Sequence, residues 1–261
     1  MKRYVIYTVL TGGYDNLIQL TCVSQDFDYI CFTDTISENS YNGIWNLRKI
    51  PSITDDKQRL SRFPKMHPHV LLSQYEYSVY IDASVDIIND ELYNIFKEKI
   101  NRGILLSGVK HPYRDCVYDE YFAVYRTKAE TNLSLLKKEY KYLKYCNMPK
   151  HIGLFEAGMI LRNHHDERII SQNEMWWLMV NKYSKRDQLS YTLSLWKNNI
   201  PFDYLENVGL NKPNRYCKLI NHVDNTKKLP LWKKIERYVY FRFLYNYTPM
   251  LKSVFYFYMN H

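Results

Sequence analysis

Glycine is scarce, with eight in 261 residues. No G-x-G-x-x-G or Walker-type run occurs, which argues against the glycine-rich phosphate cradles of dinucleotide- and ATP-binding domains. The five cysteines, Cys22, Cys31, Cys116, Cys146 and Cys217, are odd in number and form no C-x-x-C pair. That pattern argues against a disulfide framework or a structural zinc site and suggests reduced, cytoplasmic thiols. No apolar run reaches the roughly 18 residues that cross a bilayer. The opening MKRYVIYTVLTGGYD reads as a first strand, not a cleavable leader. A G-x-S-x-G elbow is missing, so a lipid hydrolase has no support. Internal repeats and low-complexity segments are missing too.

Tyrosine, by contrast, is abundant at 26 residues, while apolar (46%) and charged (24%) fractions are ordinary for a globular chain. The net charge of +9 is unevenly placed: residues 227–261 hold seven Lys/Arg against one acid, a net +6. There the rings of Trp232, Tyr238, Tyr240, Phe241, Phe243, Tyr245, Phe255 and Phe257 interleave with the basic residues. The mixture suits two short helices, separated at Pro249, on an anionic membrane surface. A C-terminal helix packed on the body is the alternative. The resulting division is a body, residues 1–225, and a basic aromatic membrane-associating extension, residues 226–261. A nucleic-acid partner would call for a basic stripe along the body, so none is expected.

Strands are expected at Tyr4–Val9, Asp28–Thr33, Trp45–Ile50, Tyr77–Ile81, Ile104–Val109 and Glu156–Arg162, from their β-branched and aromatic runs. Helical spacing marks residues 90–101, much of 117–145, and segments around 164–183 and 186–196, while 201–225 looks irregular. Alternating strands and helices make this an α/β chain. The organising stretch is Tyr75–Asp86. A buried strand there runs into the acids Asp82 and Asp86, which places carboxylates at the carboxyl edge of a sheet, where α/β folds bind ligands. Such groups can take a divalent metal or hold a sugar hydroxyl, or they can sit in a solvated turn. Asp34, at the tip of the second strand, suits a nucleoside or a plain turn. Arg59, Arg62 and Lys65 recur at i, i+3 and i+6 of a helix that Pro64 and Pro68 interrupt; facing that edge they would neutralise a diphosphate, and the alternative is a solvated basic face.

Eight blocks in order carry a resemblance: TGGYD (11–15), DYICFTD (28–34), RLSRFPKMHPH (59–69), YSVYIDASVDI (77–87), HPYRDCVYDE (111–120), EAGMILR (156–162), WW (176–177) and RDQLS (186–190). Together they resemble the GT-A nucleotide-sugar glycosyltransferases, most nearly the glycosyltransferase-like family that includes mucilage-related hexosyltransferases. The chain is similar, more loosely, to the galactosyl- and glucosyltransferases that build bacterial lipopolysaccharide.

The resemblance implies a GT-A-like, Rossmann-like, mostly parallel sheet flanked by helices, with a helical C-terminal extension. It implies a UDP-sugar donor, hexosyl transfer to a lipid-linked glycan or lipopolysaccharide, and work at the inner face of the cell membrane. The edge from Thr8 to Tyr14, with Asp34, would receive the uridine and ribose, and Arg59, Arg62 and Lys65 the diphosphate. Asp82 and Ser84 fall at the family's Asp-x-Asp motif for Mn²⁺ or Mg²⁺, with Ser84 in place of the second acid. Asp86 is the acid that could compensate, although on a regular strand it lies about 13 Å beyond Asp82, and His222 resembles a late histidine that completes the metal site. Glu156, Asp187 and Gln188 fall at catalytic positions, although Asp187 also suits a helix N-cap. Acceptor contacts would come from His111, Arg114, Trp176 and Trp177, at least one tryptophan also suiting the core. A non-catalytic glycan- or nucleotide-binding protein on the same fold is the alternative function, and Ser84 favours it.

Overall fold

The computed structural model describes residues 3–13, 16–36, 40–205, 208–210, 214–220 and 248–260. Its centre is a seven-stranded sheet in the order β3-β4-β2-β1-β5-β8-β7. The strands are β1 (Tyr4–Leu10), β2 (Phe27–Thr33), β3 (Ser40–Asn42), β4 (Trp45–Lys49), β5 (Tyr77–Ile81), β7 (Leu106–Lys110) and β8 (Phe155–Arg162). β4, β2, β1 and β5 run parallel; β8 runs antiparallel between β5 and β7, and β3 folds back on β4. The mixed, mostly parallel α/β sheet expected from the sequence is present. The chain winds from β1 through β2 to β4, then returns to the other side of β1 as β5. That reversal opens a crevice at the carboxyl ends of β1 and β5, where α/β sheets take their ligands.

Alternation along β1 divides the core. Ile6 faces Phe27, Val79 and Leu161 under α3 (Glu91–Asn101), whose Leu92 and Phe96 cover that side. Val5 and Tyr7 face the opposite layer of α1 (Lys57–Met66), α6 (Glu167–Lys182) and α7 (Asp187–Lys197), through Leu60, Ile169, Trp176 and Tyr191. Pro64 does not interrupt α1 as expected; it lies within the last turn. The short α2 (Pro68–Leu71) follows, with Pro68 in its first turn. Past the proline the turn is completed by the His67 amide, which donates to Phe63 O (2.9 Å), and the Lys65 carbonyl accepts from the Arg162 guanidinium (2.6 Å).

The described residues between 201 and 220 include a strand where the sequence looked irregular. β9 (Cys217–Leu219) pairs antiparallel with β6 (Val85–Ile87), a strand that the acidic stretch 82–86 concealed. Asp86 points into this layer, accepting from the Thr21 amide (2.7 Å) and hydroxyl (2.8 Å). It is a structural acid and does not support Asp82.

A third cluster joins α4 (Val117–Thr127) and α5 (Leu133–Tyr145) to α8 (Thr248–Asn260). Phe255, expected to meet a membrane, is buried against Phe122, Tyr125 and Tyr140, and Tyr256 donates to Asp119 (2.9 Å). Pro249 sits in the first turn of α8, where its missing N–H costs nothing. The remaining rings named for the membrane, apart from Phe257, lie outside the described residues. Among the described residues no helix is long and apolar enough to cross a membrane.

Glu139 of α5 is fully buried and has no ion-pair partner among the described residues. Burial pushes its carboxyl well above the ordinary range, against a smaller pull from Ser184 and Tyr121. A carboxyl raised on folding contributes stability that is complete below its unfolded pKa of about 4.3 and is lost as pH rises toward the folded value. Glu139→Gln, which carries no charge, is therefore expected to melt a few degrees above the wild type at pH 8. The difference should vanish near pH 4, and melting curves across that range check it.

Candidate active site

The crevice is a cleft of about 930 Å³, floored by Val9, Leu10, Ala157 and Gly158 and walled by α1, the start of α7, and the loop after β7. Nine of the sequence-named residues line it: Arg62, Lys65, Asp82, Ser84, His111, Arg114, Glu156, Asp187 and Gln188. They come from five separate chain segments, and the sheet edge gathers them.

The α1 wall carries the cations. Lys65 Nζ lies 2.5 Å from Asp187 Oδ2, and Arg62 Nε lies 3.3 Å from the same oxygen. Lys65 also sits over the rings of Tyr80 (4.8 Å) and Trp176 (5.5 Å). Burial opposes the Asp187 charge, but Arg62 and Lys65 outweigh it and hold the carboxyl far below the usual carboxylate range. At any physiological pH this acid is an anion. Its side chain is committed to the cations, so the N-cap alternative does not apply. Breaking a buried pair of this kind costs about 3–5 kcal/mol.

Arg59 does not join them. Its guanidinium binds Asp56 (2.9 Å) and the Val180 carbonyl (3.3 Å), away from the cleft. Each three-residue step turns a helix back by about 60°, so three such positions span about 120°. A cleft centred on Arg62 and Lys65 leaves the first position to one side.

Asp82 ends β5. Its amide donates to Gly158 O (2.8 Å), and its Oδ1 accepts from the Tyr80 hydroxyl (2.6 Å). A Cβ on Gly158 would stand 2.8 Å from Asp82 Oδ2 and 2.6 Å from Leu210 Cδ1, so the missing side chain is the room the carboxylate occupies. Glu156, one turn of the pleat earlier on β8, accepts from the Leu210 amide (3.0 Å). Gln188 donates to Phe155 O (2.7 Å), which fixes its amide at the cleft wall.

On the β7 side, His111 Nδ1 accepts from the amides of Tyr113 (3.2 Å) and Arg114 (3.0 Å). Burial, and then Arg114, lower its pKa to about 4, so the ring is neutral. Arg114 Nε donates to Glu120 (2.5 Å), a buried cleft acid that the sequence did not single out. Burial raises Glu120 above the usual carboxyl range, with Arg114 opposing.

Several named residues fall elsewhere. Thr8 is buried in β1, one residue short of the cleft. Asp34 accepts from the Gly12 amide (2.9 Å) and pairs with Lys57 (2.7 Å), so it braces the rim without lining the cleft. Trp176 is fully buried, and its indole donates to Asp187 O (2.8 Å); it positions the acid and is closed to an acceptor. Trp177 packs on Phe63 and His67, outside the cleft. Tyr14 and His222 lie outside the described residues. Sequence reasoning missed Arg162, wholly buried in β8, which donates to Asn173 (2.8 Å), Tyr7 (2.8 Å) and the Lys65 carbonyl. Its one signal was a charge ending a strand that is apolar from Ala157 to Leu161.

For a divalent cation, Asp82 and Ser84 bring one carboxylate, already holding a hydroxyl, and one alcohol. Mn²⁺ and Mg²⁺ take about six oxygen ligands. Among the described residues no three His, Cys, Asp or Glu gather to hold an ion. The described side chains do not by themselves make a metal site.

A family model, the TOD1/MUCI70 glycosyltransferase-like domain, matches residues 24–215, which hold every cleft residue discussed except those of the β1 edge and Leu219. The chain belongs to this family. A comparison with curated proteins returns no match. Among solved structures, the chain is similar to WbbM, a bifunctional glycosyltransferase, at 13% identity and a TM-score of 0.44, over 78% of this chain and 39% of that one. It is also similar to an active-site mutant of LgtC, at 14% identity and a TM-score of 0.47, over 77% of this chain and 72% of that one. The chain thus spans about two fifths of the WbbM chain it matches.

Gly158→Ala forces contact with Asp82 and Leu210, and overpacking of this kind costs about 1–3 kcal/mol. Urea titration should show that loss. Leu210→Ala in the same chain should recover part of it, giving a double-mutant coupling of at least about 0.5 kcal/mol. Strict additivity would mean that the cleft floor is not packed as described.

Proposed function

We propose that this domain transfers a hexosyl group from a UDP-sugar to a glycan acceptor carried on a lipid or lipopolysaccharide. One observation carries the proposal: a buried lysine, a half-buried arginine and an obligate anion, Lys65, Arg62 and Asp187, meet Asp82, Glu156 and Gln188 in one cleft at the sheet's switch point. Transfer needs a leaving diphosphate neutralised and an oxocarbenium-like sugar stabilised while an acceptor hydroxyl attacks. Arg62 and Lys65 suit the first task. Asp187, ionised and fixed between them and the Trp176 indole, suits the second, with Gln188 beside it. Where a divalent ion takes part, Asp82 and Ser84 are the residues proposed to meet it, and the ion would add charge neutralisation at the diphosphate.

The proposal places the enzyme on the inner face of the cell membrane through its C-terminal segment. α8 buries Phe255 and Met259 against the body yet leaves Met250, Val254, Phe257 and Tyr258 exposed along its other side. This outward apolar face, with the basic excess of residues 227–261, suits an anionic lipid surface.

A panel of UDP-sugars, with and without Mn²⁺, tests the chemistry. At least one is expected to be turned over by the wild type, and Arg62→Ala should lower kcat about 10²- to 10³-fold. Absence of both turnover and calorimetric binding for every donor would remove the proposal in favour of a non-catalytic protein. For the membrane, the chain is expected to co-sediment with vesicles containing phosphatidylglycerol and to be released by high salt. Phe257→Ser with Val254→Ser should weaken binding without lowering the melting temperature.

A further inference from the structure

The cleft has two ends of different character. At the β1 end every cation has an acid: Lys57 pairs with Asp34 (2.7 Å), and Arg62 and Lys65 share Asp187. At the other end Arg114 is taken by Glu120 (2.5 Å). Arg186 is the exception. It lines the cleft at the entry to α7, yet among the described residues its side chain has no ion pair and no hydrogen bond, and its Nε is buried without a partner. A guanidinium offers five donors in a rigid fork shaped for carboxylate or phosphate. Of these donors the Nε is the buried one, and leaving it unmet beside a cleft is costly unless a ligand meets it.

The position of Arg186 indicates which ligand. Its charge reaches both Asp187 and Glu120, so it stands between the sugar-transfer centre and the β7 wall. β7 is three strands from β1 in the sheet order, roughly 14 Å at the usual strand spacing. The diphosphate belongs at the β1 end with Arg62 and Lys65. An anion at Arg186 therefore comes from the molecule entering on the other side.

The geometry points to Arg186 as a specificity-determining residue that receives an acidic group, carboxylate or phosphate, on the acceptor glycan. The neighbouring Arg114, held by Glu120 and flanked by neutral His111, closes the same end of the cleft. The acceptor class is thus an acidic sugar. This rests on the glycosyl-transfer reading, but the anion site can be tested apart from it.

The probes are methyl glucuronide for the carboxylate, glucose 6-phosphate for the phosphate, and methyl glucoside as the neutral control. Their binding is followed by saturation-transfer NMR, with and without saturating UDP, while calorimetry follows UDP itself. One or both acidic sugars should bind about tenfold more tightly than the neutral one, and whichever does so identifies the anion. Arg186→Ala should erase the preference, Arg186→Lys should keep part of it, and both variants should bind UDP within twofold of wild type. Circular dichroism confirms that each variant is folded, and Arg186→Gln replaces Ala if it is not. Equal binding of acidic and neutral sugars, no sugar binding, or a preference that survives Arg186→Ala overturns the inference. A tenfold loss of UDP affinity in Arg186→Ala with the sugar preference intact also overturns it, and moves Arg186 to the donor. If the wild type fails to bind UDP, the donor reading fails, and the sugar comparison without UDP still decides the anion site.

Discussion

The contact on which the cleft depends is the buried ion pair between Lys65 and Asp187. It ties the end of α1 to the start of α7 over the open edge of the sheet. An isolated charge at such depth would be expelled or neutralised, so each partner is the condition for the other. The scaffold behind them is equally specified. Arg162 and the Tyr7 hydroxyl hold the Lys65 carbonyl from below, and the Trp176 indole holds the Asp187 carbonyl. The result is a fixed anion between fixed cations, with a packed core on one side and a ligand-sized cleft on the other.

That arrangement reconciles two demands that usually conflict. A binding surface for a diphosphate must be strongly cationic, yet clustered cations repel and destabilise the free protein. Here the cations at the β1 end of the cleft are paired with acids in the resting state, Lys57 with Asp34, while Arg62 and Lys65 share Asp187. The small residues Ala157 and Gly158 keep the floor low enough for the Asp82 carboxylate to lie over β8. Arg186 stands outside this balance, and so the cleft is electrostatically asymmetric from end to end.

Most of the sheet was legible in the sequence because its strands are continuous β-branched and aromatic runs bounded by turn residues, as in YSVYI before Asp82 and YVIYTV before Thr11. The less legible elements were the short ones. β6 and β9 have three residues each and are defined by one another, with no local pattern to read. In the site, residues on regular elements were found when they project toward the edge. Arg59, Trp176 and Asp86 were misassigned because residue type and spacing do not specify which side of an element meets the cleft. Glu120 and Arg162 were overlooked because a charged residue inside a helix or at a strand end looks like surface until its burial is known.

The order of the blocks, the α/β alternation and the family were determined by the sequence alone, because local propensity and motif order survive without knowledge of packing. The tertiary structure alone decided which charges share one space. Lys65 and Asp187 are 122 residues apart, and nothing local in either segment encodes the other's position. Their meeting follows from β5 returning beside β1 and from β8 carrying α6 and α7 back across the same edge. Burial, which determines whether a carboxylate is a cap, a brace or a reactive anion, exists only once those layers have closed.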